Sequence, residues 1–154
     1  MKKTITFFMS VIIVSILITS CSANTTSNNL QEGSYKVTYD EADSRDWKAF
    51  LTFDVKDGKI KNVNFDYNGV GPNEGKLKTE DEPYNEAMQS AANTNPKEYS
   101  KILADSFEES QDVTKIDAVS GATTSTNTFE EFAKEGIKAA KKGNTETVIV
   151  KQDE

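Results

Sequence analysis

The chain has 154 residues, enough for one small domain built on a single hydrophobic core. It carries 25 acidic against 18 basic side chains, no histidine and one cysteine, which excludes histidine acid–base catalysis, His/Cys metal centres and an intrachain disulfide. The acidic balance also argues against nucleic acid as a partner, because binding phosphates needs concentrated positive charge.

Residues 1–20 open with Lys2 and Lys3, run apolar from Ile5 to Ile18 and close on Ile18-Thr19-Ser20-Cys21. A charged start, a short apolar region and a small-residue end form a secretory signal, which stands apart from the fold. The stretch resembles a bacterial lipoprotein signal, in which an aliphatic residue (here Ile18) lies three before the cysteine and a small one (Ser20) directly before it. An uncleaved spanning anchor is the rival reading, but the apolar run is short for the ~20 residues a span needs. The resemblance implies that Cys21 becomes the lipidated N-terminus and moors the protein to the extracytoplasmic face of the cell membrane. Residues 21–33 are almost all small or polar, so a flexible tether is expected there, followed by a domain over residues 34–154.

Alternation predicts strands over "SYKVTYD" (34–40), "WKAFLTFDV" (47–55) and "IKNVNFDY" (60–67), with Asp57-Gly58 as a type I′ hairpin turn between the last two. Asn68 to Asp81 is rich in glycine and charge and is expected to be an exposed loop. A helix from Pro83 presents Tyr84, Ala87, Met88 and Ala91 at helical spacing; a second is capped by Asn95, with Tyr99, Ile102, Leu103 and Phe107 as its apolar face. Such stripes are usually core rather than ligand contacts. After the short apolar segment Val113–Ile116, a long helix is predicted to begin between Ser125 and Thr128. Phe129, Phe132, Ala133, Ile137 and Ala140 form its stripe, Thr128 and Glu131 a capping box, and Gly143 its end. "TETVIV" (145–150) is a last strand. Together these elements predict one α+β domain, an antiparallel β-sheet with helices packed on one face.

Between the short segment and the long helix lies "DAVSGATTST", residues 117–126. Taken alone, a Ser/Thr-rich stretch before a helix is an N-capping loop. The core Ser120-Gly121-Ala122-Thr123, with Asp117 three residues ahead of it, nevertheless resembles the modification site of the covalent FMN-binding domain. That family includes the flavin-bearing subunits of sodium-pumping quinone reductases and of Rnf-type complexes. The resemblance extends over most of 33–143, and the insert between Asn68 and Asn95 is closest in kind to FMN lipoproteins of extracellular electron transfer. It implies FMN joined by a phosphoester to the Thr123 hydroxyl, with Thr124, Ser125 and Thr126 as neighbouring alternatives. Gly121 and Ala122 are expected to leave room for a flavin transferase to approach, and Asp117 to be read by that transferase or to orient the loop. The helix start would supply N–H groups to the phosphate, and Trp47, Tyr67 or Tyr84 would stack on the ring.

The function implied is an electron carrier, itself a substrate of the transferase rather than an enzyme, that takes electrons from a quinone-linked donor and passes them to an extracellular acceptor. A lipid-anchored binding or adhesion module without flavin is the alternative. The fragment "VSILITS" of the signal is also similar in kind to lipoprotein-derived peptide pheromones.

Overall fold

The computed structural model describes residues 29–152. The signal, Cys21 and the tether as far as residue 28 lie outside the described residues. The packed chain begins ahead of Ser34: Leu30, the one large apolar residue of the expected tether, is buried in the core, and the Gln31 N–H donates to the Ala140 carbonyl at 2.9 Å.

Strands β1 (Gly33–Tyr39), β2 (Trp47–Lys56) and β3 (Lys59–Gly69) form an antiparallel meander. Asp57 and Gly58 have φ of 52° and 68°, both left-handed as a type I′ turn demands, and they set Lys56 opposite Lys59. Three helices follow, α1 (Glu82–Ala92), α2 (Pro96–Ser110) and α3 (Thr123–Lys142), and then β4 (Val148–Val150). The sheet order is β3-β2-β1-β4, and β4 pairs with β1 in parallel. The expected α+β domain is therefore observed, with a sheet that is mostly antiparallel and has one parallel edge. Parallel pairing needs a crossover, and α3 carries the chain back over the sheet before Gly143, at φ 68°, turns it into the last strand.

Local chemistry sets the helix starts. The Asp81 carboxylate accepts from the Tyr84 N–H and the Asn95 side chain from the Glu98 N–H, each capping a helix with proline in its first turn. The long helix starts at Thr123, earlier than its apolar stripe suggests, so Thr128 and Glu131 do not form a capping box. Thr128 is buried in the second turn instead, and Glu131 accepts a 2.8 Å bond from the Tyr39 hydroxyl. On α2, the buried stripe runs through Tyr99, Ser100, Leu103, Ala104 and Phe107. That stripe leaves Ile102, expected to face inward, 42% exposed at its edge.

One face of the sheet makes the core. Val37, Leu51, Phe53 and Phe65 pack against Leu103, Phe107, Phe129 and Phe132 from α2 and α3, all of them essentially inaccessible to solvent. Burying a side chain of this size contributes roughly 1.5–3 kcal/mol. The helix comes this close at Gly136, where an added Cβ would lie 2.5 Å from Phe53 Cε1 and 3.3 Å from Val37 Cγ2.

Gly136→Ala should destabilise the domain. Its helix-propensity gain of about 1 kcal/mol is outweighed by an overpacking cost of about 1–3 kcal/mol. Urea unfolding checks this, and an unchanged or raised midpoint would show that α3 is free to move off the sheet.

Candidate functional site

A cavity of about 760 Å³ opens between the start of α3, the stripe of α1 and the β2–β3 end of the sheet. That is the size of a small-molecule or cofactor site. Gly121, Ala122, Thr123 and Thr124 lie along its rim, and Trp47, Tyr67, Tyr84 and Met88 are among its walls. Most of the α1 stripe is cavity wall: Tyr84 and Met88 are half-buried and Ala87 is exposed, all three lining the cavity, with Met88 also packed against the core.

The rim has its shape because Thr126 pins it. Thr126 is 1% exposed; its Oγ1 accepts from the Val119 N–H at 3.2 Å and donates to the Ala122 carbonyl at 3.1 Å, tying the loop to the helix it precedes. Gly121 has φ 78°, and a Cβ there would fall 2.4 Å from the Ala92 carbonyl oxygen at the end of α1. The missing side chain at Gly121 thus makes room for this protein's own backbone on one side, while Gly121 itself stays exposed. Ala122 is small for a similar reason, since it is buried in the core.

The hydroxyls between Ser120 and Thr128 sort by environment. Thr126 and Thr128 are buried, and the Ser125 hydroxyl interacts with the phenols of Tyr67 and Tyr99. Ser120 is exposed but does not line the cavity, and Asp117 likewise stands outside it in solvent. Thr123 and Thr124 remain as hydroxyls that are both exposed and on the rim. They are the first two residues of a 20-residue helix whose N-cap, Ala122, has no side-chain bond and whose first turn holds no acid. By helix geometry their N–H groups lack intrahelical acceptors, which makes this end a natural seat for an anion.

Lys78 belongs to the site and escapes sequence reading. The segment from Asn68 to Asp81 is not simply an exposed loop. It folds into short 3-10 turns at Gly71–Asn73 and Lys78–Glu80 and makes a bridge between Asn68 and Leu77. Two buried polar residues secure the second turn. Asp66 accepts from the Thr79 hydroxyl at 2.6 Å and from its N–H at 3.2 Å, while Asn85 Nδ2 donates to the carbonyls of Lys78, Thr79 and Asp81. Lys78, in a run of lysines and acids with no distinguishing pattern, is thereby held almost fully buried at the cavity. Its Nζ lies 4.3 Å from the ring centre of Tyr67 and 4.8 Å from that of Tyr84.

Fold and site together give a small domain with an aromatic cavity and exposed hydroxyls at an uncapped helix end. The chain matches the FMN-binding domain family over residues 44–138, a span that includes all three helix starts and the hydroxyl loop, and it belongs to that family. It is 29% identical over 136 residues to the 15 kDa lipoprotein of Treponema pallidum (strain Nichols), covering 88% of this chain and 92% of that protein. The crystal structure of the CPE2226 protein from Clostridium perfringens resembles it with a TM-score of 0.75 and 35% identity, over 80% of this chain and 99% of that one.

The residues present fit a flavin nucleotide. The walls are flat and aromatic, the helix end suits a phosphate, and Gln152 Oε1, a buried acceptor on the lining, has no partner among the described residues. Bound FMN would supply the redox chemistry; Thr123 and Thr124 would hold its phosphate end, and Trp47 and Tyr84 belong to the aromatic lining.

Burial pushes the Tyr99 phenol up to about 12 and the Tyr67 phenol well above its usual range. The neutral phenols are the folded forms, so their contribution to stability is complete below about pH 10 and is lost as pH rises towards 12. For Tyr99, unfolding free energy should therefore fall by on the order of 2–3 kcal/mol as pH rises from about 10 to 12. Tyr99→Phe should flatten the decline in urea unfolding followed across that range; an unaltered profile would mean that Tyr99 ionises without unfolding the site.

Proposed function

We propose that this protein is a lipid-anchored, extracytoplasmic electron carrier with FMN held as a phosphoester on Thr123. Family membership supports the cofactor, and the resemblance of the Thr123 motif supports the bond. The single observation that carries the reading is the sorting of hydroxyls: Thr123 is exposed, on the cavity rim, and at the uncapped end of α3. A flavin transferase would present FAD. The Thr123 oxygen would bond to the phosphorus on the flavin side, its proton would go to the enzyme's base, and AMP would leave. The product diester keeps one negative charge beside the first N–H groups of the helix, where the helix dipole favours it.

The lipobox at Cys21 and the relative described as a lipoprotein support anchoring through lipid on Cys21. Among the described residues no helix is long and apolar enough to cross a membrane, so the cysteine and its signal carry the membrane reading. The titratable lining of the cavity is one lysine, one arginine, one aspartate and four tyrosines. A carrier fed by a quinone-linked donor and emptied by an extracellular acceptor suits such a lining.

Co-expression with a flavin transferase should add the mass of one FMN, less water, to the protein. Thr123→Ala should abolish the addition, Thr124→Ala should retain it, and Cys21→Ser should release the protein from membranes. A flavin kept by Thr123→Ala would overturn the assignment. Trp47 is the chain's one tryptophan and lies in the cavity wall, so its emission should be quenched several-fold in the flavinylated form. Unquenched emission would mean that the ring stays outside.

A further inference from the structure

Lysine is rarely buried without a partner, because removing an ammonium from water is expensive. Lys78 is 5% exposed, yet no oxygen among the described residues accepts a hydrogen bond from its Nζ. Its nearest counter-charge, Asp43 Oδ2, is 3.9 Å away, and its remaining neighbours are the ring faces of Tyr67, Tyr84 and Trp47. The other cation on the cavity lining, Arg45, is exposed. Lys78 does not reach this place by a flexible stem alone, since Asp66 and Asn85 fix the backbone turn that carries it. The fold therefore holds a largely buried positive charge, paired with Asp43 at 3.9 Å, in the wall of a cavity that fits a flavin.

We propose that Lys78 sets the reduction potential of the flavin in this cavity. The inference rests on the reading of the site given above. The oxidised isoalloxazine is neutral. Two electrons from the quinone-linked donor and one proton from solvent leave it with a single negative charge. An ammonium in the same low-dielectric cavity stabilises that charge and gains nothing from the neutral ring, so it shifts the couple towards the reduced state. Three aromatic faces hold the cation without neutralising it. Asp43, paired with the ammonium at 3.9 Å, opposes the effect, so removing either charge should move the potential in opposite directions.

The test uses the full flavinylated chain, with FMN content read by mass and the midpoint potential by redox titration against dyes. Lys78→Met keeps the apolar stem and removes the charge. It should retain FMN, and at the midpoint of the unsubstituted protein its ratio of oxidised to reduced flavin should rise roughly tenfold, about 30 mV to the negative for a two-electron couple. Lys78→Arg should stay near the original potential. Asp43→Asn keeps the oxygen that accepts from the Arg45 and Trp47 N–H groups but loses the charge, so it should move the potential in the opposite direction. A fully loaded Lys78→Met protein with an unmoved midpoint would overturn the proposal and leave the lysine a filler between rings. Should that variant fail to fold or load, Asp43→Asn decides: a shift to the negative, or none, overturns the proposal. If the unsubstituted chain takes up no FMN, the carrier reading fails first and this inference falls with it, an outcome distinguishable by mass alone.

Discussion

The site exists because α3 is clamped to the sheet by interlocked rings. Phe129 meets Phe65 at 5.2 Å and Phe107 at 5.8 Å between ring centres, and Phe107 in turn meets Phe53 at 6.0 Å, all nearly edge-on. These contacts join β2, β3, α2 and α3 at one place, and each edge-to-face pair contributes about 0.5–1.5 kcal/mol beyond its area burial. With Gly136 letting the helix lie flat against Phe53, the axis of α3 is fixed, and its N-terminus is aimed at the end of the sheet where Trp47 and Tyr67 stand.

What the clamp positions, short polar devices refine. Thr126 folds the loop over the helix start, the carbonyl of Ala92 receives Gly121 at close range, and Ser125 is held by buried phenols. Each device occupies a hydroxyl or a space, so that among the hydroxyls from Ser120 to Thr128 only Thr123 and Thr124 are both exposed and on the rim. A tiny-residue motif is thus explained twice over. Glycine and alanine satisfy the packing of the domain itself, and the hydroxyl of Thr123 after them stays exposed.

Much of this was legible beforehand, and the misses share a cause. Strand alternation, the Asp57-Gly58 turn and the Asn95 cap are local signals, and they led to the right elements. The start of α3 was misplaced because the cue, Thr128 with Glu131, has the form of a capping box while the real start is stabilised by Thr126 bonding backwards into the loop. The parallel pairing of β4 with β1 depends on where a long helix returns the chain, which three residues of strand cannot encode. The α1 stripe had the period of a core face, but period cannot tell a core from a cavity wall. Lys78 left no trace at all: its burial follows from Asp66 and Asn85, which are distant or unremarkable in sequence.

The proposed carrier would separate its tasks by place: the phosphate end at the start of α3, the ring against the aromatic walls, and the membrane attachment far away in the chain at Cys21. The arrangement hangs on one covalent bond, and the most direct measurement is tandem mass spectrometry of the tryptic peptide Ile116–Lys134 from the protein isolated from its own host. The account predicts a peptide carrying one FMN, with fragment ions placing it on Thr123. A bare peptide, or a flavin on any other residue, would contradict it.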